Sequence, residues 1–133
     1  MFSEVMTTFN FERLNCWKYA RTLVKNIYSV TGQFPESEKF GLVNQLRRAA
    51  VSVSSNVAEG AGRQAPKDQK HFYTMAYGSL CEIMNQLIIA FDLEFITEQQ
   101  LNQFREEITT VAKLLSGMST ATQKRIQPSP AKQ

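Results

Sequence analysis

A run of short side chains at helical spacing constrains this chain more than any other feature. Between residues 40 and 63, FGLVNQLRRAAVSVSSNVAEGAGR, the residues Val43, Leu46, Ala50, Val53 and Val57 recur at steps of three and four. That is the mark of one buried helix face. Around it lie Ala49, Ser52, Ser54, Ser55 and Ala58. Short side chains let helix axes approach to the low end of the usual range of about 8–10 Å. The run therefore predicts the central helix of a bundle, over 38–59.

Three more helices surround it. Over 10–31, Leu14, Trp17, Val24 and Ile27 form one apolar row and Cys16, Ala20, Leu23 and Val30 a second, with Asn10 as the expected N-cap and Gly32 as the stop. Pro35 turns the chain, and Ser37 with Glu38 opens the central helix. Gly60-Ala61-Gly62 is expected to break it. It is no phosphate loop, since it lacks both the Lys-Ser/Thr partner and a preceding strand. Pro66 suits the first turn of a helix over 66–93. Tyr73, Tyr77, Leu80, Met84, Leu87 and Phe91 give this helix one seam, and Phe72, Ala76, Ser79, Ile83 and Ala90 a second. Gly78, in mid-helix, predicts another backbone close by. Thr97 and Gln100 form a capping box for a last helix over 97–121, striped by Leu101, Phe104, Ile108, Val111, Leu115 and Met118. The expected fold is all-α: an antiparallel up-down-up-down four-helix bundle in one domain, 1–121. Residues 1–9 read as a frayed arm and 122–133 as a disordered basic tail.

Several function classes fall away. No apolar run reaches the roughly 18–20 residues of a membrane span, and no charged-then-apolar leader opens the chain, so a soluble, cytoplasmic protein is expected. Cys16 and Cys81 lack metal-ligand spacing and read as two buried thiols rather than a disulfide. His71 reads as a surface histidine near a helix start, without an acid partner at a telling spacing. There are no Glu-x-x-His pairs and no nucleophile motif. Neither a metal nor a cofactor is expected, and no enzymatic activity. Glu82, beside the third helix's seams, would serve as an acid or base only in a pocket assembled between subunits; the structural reading pairs it with an arginine.

Charge divides along the chain. Residues 1–75 hold ten Lys/Arg against six Asp/Glu, 76–121 hold two against six, and the tail holds three and none. A basic side and an acidic side either attract nucleic acid or stack subunits with opposite faces together. Lys18, Arg21 and Lys25 share one helix row, which is either a solvated face or a phosphate contact. Arg63, Lys67 and Lys70 follow the central helix, and Lys124 and Arg125 open the tail. On the central helix Arg48, Val51, Ser52, Ser55 and Glu59 lie opposite the buried stripe. This face is small and partly apolar where solvated faces are usually Lys/Glu-rich, so it predicts a subunit interface of a homo-oligomer.

Three motifs carry a resemblance. Gln45-Leu46-Arg47-Arg48-Ala49-Ala50, Ser55-Asn56-Val57-Ala58-Glu59-Gly60, and Gly78-Ser79-Leu80 with Glu82, Gln86 and Leu87 resemble the bacterial four-helix-bundle family first noticed in intervening sequences of large-subunit ribosomal RNA genes. The resemblance spans about residues 10–118 and extends to the accessory variability proteins of diversity-generating retroelements. It implies a homopentameric barrel and, for the retroelement branch, a nucleic-acid-binding basic surface with a reverse transcriptase partner. Ser54 stands where that family commonly has proline, and Met84 where it commonly has a second glutamate. The leading expectation is a non-enzymatic oligomeric scaffold that binds RNA or DNA through phosphate charge. The alternative is a protein-interaction module that docks a partner such as a reverse transcriptase without touching nucleic acid.

Overall fold

The computed structural model describes residues 9–126. Four helices follow one another: α1 (Asn15–Thr31), α2 (Leu42–Ala61), α3 (Pro66–Asp92) and α4 (Glu98–Ile126). No strand occurs among the described residues. Side-chain pairs show that α2 and α3 run antiparallel. From α2 to α3, Gln45 meets Gln86 and Ser52 meets Ser79. At the far end Gly60 lies against Tyr73. Asn26 of α1 donates to Glu107 of α4 at 2.7 Å, and Lys70 near the start of α3 reaches Gln123 near the end of α4.

Each helix turns most of its expected stripe inward; Tyr77 of the first α3 seam is the exception, 48% exposed. Val43, Leu46, Ala50, Val53 and Val57 are all buried, as are Leu101, Phe104, Ile108, Val111 and Leu115 of α4. Of the two rows on α1, Cys16, Ala20, Leu23 and Val30 are buried together with Ile27, while Trp17 and Val24 are half-buried. Helix α3 buries Tyr73, Leu80 and Leu87 from one seam and Ala76, Ile83 and Ala90 from the other. Both seams find partners within the bundle, α2 on one side and α4 on the other, so the double seam by itself asks for no second subunit.

The helix ends depart from expectation in ways that side chains explain. The first helix is interrupted: Asn10–Arg13 is a separate 3-10 turn, and Leu14 is extended at φ −74°, ψ 127°. Asn10 therefore caps nothing. The Phe9 N–H instead donates to the Glu12 carboxylate at 3.0 Å, and Phe11 rests edge-on against Trp17 at 5.0 Å. Ser37 likewise lies in a 3-10 turn, Glu36–Glu38, and α2 starts later, at Leu42. Its first N–H is satisfied by the Glu38 carboxylate at 3.2 Å, because a longer acidic side chain reaches a helix start that the Ser37 hydroxyl does not. Helix α3 closes with the paired bonds of a Schellman motif, Phe95 N–H to Ala90 C=O at 2.8 Å and Glu94 N–H to Phe91 C=O at 2.9 Å. Glu94 occupies the left-handed position at φ 64°, where glycine is usual. The capping box of α4 is present: Thr97 N–H donates to Gln100 at 2.9 Å and Gln100 N–H to the Thr97 hydroxyl at 3.1 Å.

Helix α4 does not stop at residue 121. It continues through Thr122, Lys124 and Arg125 to Ile126, with Thr122 buried and its hydroxyl donating to the Met118 carbonyl at 2.8 Å. The rest of the expected tail, 127–133, and the expected arm at 1–8 lie outside the described residues.

Glycine placement corrects one more expectation. Gly78 has open space where a Cβ would stand, so among the described residues no backbone passes beside it. The tight approach is at Gly60, inside α2 rather than beyond its end. A Cβ there would meet Tyr73 Cε1 at 2.6 Å and Phe72 Cβ at 3.0 Å. Tyr73 is buried and the Phe72 Cβ is fixed to its backbone, so neither yields cheaply. Gly60→Ala is expected to cost about 1–3 kcal/mol in overpacking, more than the helix-propensity gain of about 1 kcal/mol. Gly117→Ala, on α4 with nothing near its Cβ among the described residues, should keep that gain. Urea midpoints of the two variants, moving in opposite directions from the parent, are the check.

Candidate nucleic-acid interface

One end of the bundle gathers the basic residues that the sequence scatters. The α2–α3 loop, the first turns of α3 and the last turns of α4 meet there, and Gln69 joins all three. Its amide donates to the Arg63 carbonyl at 2.8 Å, and its carbonyl oxygen accepts from Arg125 Nη1 at 2.9 Å. Beside it, Lys70 Nζ donates to Gln123. The Arg63 guanidinium lies over the Phe72 ring, 4.6 Å from its centroid. Lys67 and Lys124 are exposed. Five expected contacts, Arg63, Lys67, Lys70, Lys124 and Arg125, thus share one end. Lys124 and Arg125 are held on a helix there, not on a free tail, and α4 reaches that end only because it runs on to Ile126.

The other three form a separate strip. Lys18, Arg21 and Lys25 are all exposed on α1, with Lys18 one turn from its start and Lys25 two turns further. Arg21 lies over Trp17 at 5.4 Å from the ring centroid. Because α1 begins at the end where α2 finishes, the strip leads away from the cluster along the bundle's length.

Sequence reasoning missed Gln69 and the aromatic supports under the arginines. The Trp17–Arg21 pair, spaced by four, was legible as a helical neighbour pair. Phe72 under Arg63 was not, because the loop that folds them together is tertiary. Tyr73, next to this end, has its phenol pushed above the ordinary value by burial and then by Cys16, with Arg125 partly opposing.

The expected interface residues occupy the outer face of α2 with one exception. Arg48, Val51, Ser55 and Glu59 are exposed, Val51 at 40%. Ser52 is half-buried at the α2–α3 seam, where its hydroxyl lies 2.9 Å from that of Ser79 and 3.0 Å from the Asn56 amide nitrogen. Beside that seam Gln45, Glu82 and Gln86 come together. The Gln86 amide donates to Glu82 Oε2 at 3.2 Å and to Gln45 Oε1 at 3.3 Å. Glu82 is exposed and takes its hydrogen bond from Gln86, not from an arginine as expected. One turn of helix brings Gln86 within reach, whereas Arg47 is turned the other way. It donates to the Thr31 hydroxyl at 2.9 Å and the Tyr28 carbonyl at 3.3 Å while stacking on the Tyr28 ring.

No group of three or more His, Cys, Asp or Glu suited to a metal ion exists among the described residues, and none of their helices is long and apolar enough to cross a membrane. His71 is exposed, with its ring edge-on to Phe72.

The sequence model of the 23S rRNA-intervening sequence protein family matches residues 12–117. The chain belongs to that family. No curated protein matches it. Among solved structures it is similar to a protein of unknown function from the S23 ribosomal protein family of Bacteroides thetaiotaomicron. That similarity has a TM-score of 0.73 at 20% identity and covers 78% of this chain and 97% of the other. At that identity the likeness concerns the fold. The family motifs of this chain are now placed: Arg47 joins α2 to the end of α1, Gln45 meets Glu82 and Gln86 across α2 and α3, and Gly60 receives Tyr73. Each of these is a joint between helices.

The two thiols have opposite fates, which corrects the expectation that both are buried. Cys16 is buried, and burial pushes its thiol up to about 11; Cys81 is exposed. Only a thiolate attacks a disulfide reagent. At pH 8 the native protein should therefore release one equivalent of thionitrobenzoate rapidly from Ellman's reagent, and a second only after unfolding. Loss of the rapid phase in Cys81→Ser, with the second thiol still masked, is the check.

Proposed function

We propose that the chain is a non-enzymatic, homo-oligomeric scaffold that holds RNA or DNA by phosphate charge, with little selection among base sequences. The observation that carries this is the convergence of Arg63, Lys67, Lys70, Lys124 and Arg125 on one end of the bundle, tied by Gln69. Cations on well-packed helices and on an aromatic ring lose less freedom on meeting a phosphate than cations on a free tail. Assembly multiplies a modest patch across subunits and raises its effective affinity without new contacts. The family description names a ribosomal RNA intervening sequence rather than an activity.

The surface proposed for assembly is the outer side of α2 and α3. Ser52 and Ser79 meet at its centre, Gly78 is open beside them, and Val51, Met75 and Ile89 are exposed around them. A low, partly apolar face of this kind admits a second backbone closely, and Arg48, Glu59 and Glu82 offer charge of both signs to the neighbour. The pentamer and the kinship with retroelement accessory variability proteins rest on the resemblance of the motifs and belong to the same proposal. So do a cytoplasmic location and a reverse transcriptase as the enzyme that such a scaffold would serve.

Two measurements test this. Fluorescence anisotropy with a labelled structured RNA should show binding that weakens steeply with salt, log K falling by about 0.7–0.9 per phosphate neutralised for each tenfold rise in salt. Reversing Lys67, Lys124 and Arg125 to glutamate should weaken it at least about tenfold, near 1.4 kcal/mol. Undiminished binding in that variant, or no uptake of RNA at low salt, would overturn the nucleic-acid reading. Separately, light scattering should give a multiple of 15.1 kDa for the parent. Arg48→Glu should lower it, and a mass that stays unchanged would sink the α2 interface.

A further inference from the structure

On the side of α3 away from α2, a groove of about 550 Å³ runs between α3 and α4. Tyr77, Leu80, Cys81 and Met84 form one wall, and Ile108 and Ala112 the other. Arg105, Thr109, Lys113 and Ser116 continue α4's side to the rim, a span of eleven residues or about 16 Å. The groove is therefore three helical turns long and apolar along its floor. Tyr77 is 48% exposed, a large aromatic ring left half in water.

The charge on its rim is distinctive. Residues 76–121 hold only two cations against six carboxylates, and both cations, Arg105 and Lys113, line this groove. Both are exposed, and among the described residues neither makes a hydrogen bond or ion pair. Eight residues separate them, about 12 Å along the helix and close to two turns.

We infer that this groove is a docking site for an acidic amphipathic helix of a partner protein, one whose apolar ridge seats between α3 and α4 and whose carboxylates, two turns apart, meet Arg105 and Lys113. A helix lying in the channel between two antiparallel helices uses ordinary ridge-into-groove packing, with anchors at i, i+3/i+4 and i+7. A nucleic acid fits poorly, because the floor is apolar and the surrounding segment is acidic. A second copy of this chain fits poorly too. Among the described helices α1 carries no Asp or Glu, α2 only Glu59, and α3 Asp68, Glu82 and Asp92, none of them two turns apart. Helix α4 spaces Glu98 and Glu106 two turns apart, but Gln99, Asn102 and Gln103 beside them are polar. The inference stands apart from the proposed nucleic-acid function: it uses a different face and none of the same residues.

The probe is a synthetic, labelled helical peptide of about 14 residues, leucines along one ridge and two glutamates two turns apart, beside a twin with lysines in place of the glutamates. Anisotropy should show the acidic peptide binding the full-length protein at least about tenfold tighter than its twin. It should also slow the reaction of Cys81 with Ellman's reagent. The double variant Arg105→Glu, Lys113→Glu, at exposed positions, should invert the preference, and Ala112→Trp should abolish binding of both peptides by filling the floor. Circular dichroism confirms that each variant is folded. Equal binding of the two peptides, no binding of either, or no inversion in the double variant would overturn the inference. A fall in assembled mass in the double variant would also overturn it, by giving the groove to a second copy. RNA binding is read in parallel and is expected to be unchanged by these substitutions, so failure here is separable from failure of the nucleic-acid reading.

Discussion

The close approach of α2 to α3 at Gly60 is the contact on which the rest of the bundle depends. A buried aromatic ring, Tyr73, occupies the space that any other residue's Cβ would need, so the start of α3 is pinned to the end of α2. From that point the antiparallel course sets the partners of α2 one after another, Ser52 with Ser79 and then Gln45 with Gln86. Short residues along the outer seam let the two helices stay close over much of this length. Close helices exclude water from their shared face, and that leaves Val53, Val57, Ala76 and Ile83 fully covered.

Polar side chains then fasten the helices where apolar packing runs out. Arg47 stacks on Tyr28 and donates to the Tyr28 carbonyl and the Thr31 hydroxyl at the end of α1, adding a charged donor to a carbonyl that already accepts the Gly32 N–H. Gln69 fastens the opposite end of the bundle, between the α2–α3 loop and α4. Gln86 is buried and spends both amide hydrogens, on Glu82 and Gln45, yet its Oε1 has no hydrogen-bond partner among the described residues. A buried acceptor left so is costly, of order 1–3 kcal/mol.

These joints give the surface three distinct regions. The basic end is ordered by Gln69 and by the extension of α4. The α2–α3 side is low and mixed in charge. The α3–α4 side is apolar, with both cations of its segment on the rim. Of the motifs that carry the family resemblance, Gln45, Arg47, Gly60, Glu82 and Gln86 lie at joints between helices, where they bear on the fold.

Read alone, the sequence determined the four helices, their buried faces and the capping box at Thr97, because periodicity and local hydrogen bonding need no distant residue. It placed α3 within a residue of both its ends. It misjudged the starts of α1 and α2: a separate 3-10 turn, Asn10–Arg13, precedes α1, whose start carries no side-chain cap, and Glu38 rather than Ser37 meets the first N–H of α2. It misjudged the last turn of α4 as well, because Thr122 gains its burial from neighbouring helices that composition does not show. The basic residues were all legible as residues, but not as a site: Arg63 and Arg125 stand far apart in the chain and share Gln69 only after folding. The tight glycine was expected at Gly78 and found at Gly60, since only the packed neighbours decide which absent Cβ matters. Which side chains meet across helices, and so which surfaces exist at all, was decided by the tertiary structure, because those contacts depend on helix separation and rotation that a linear pattern does not encode.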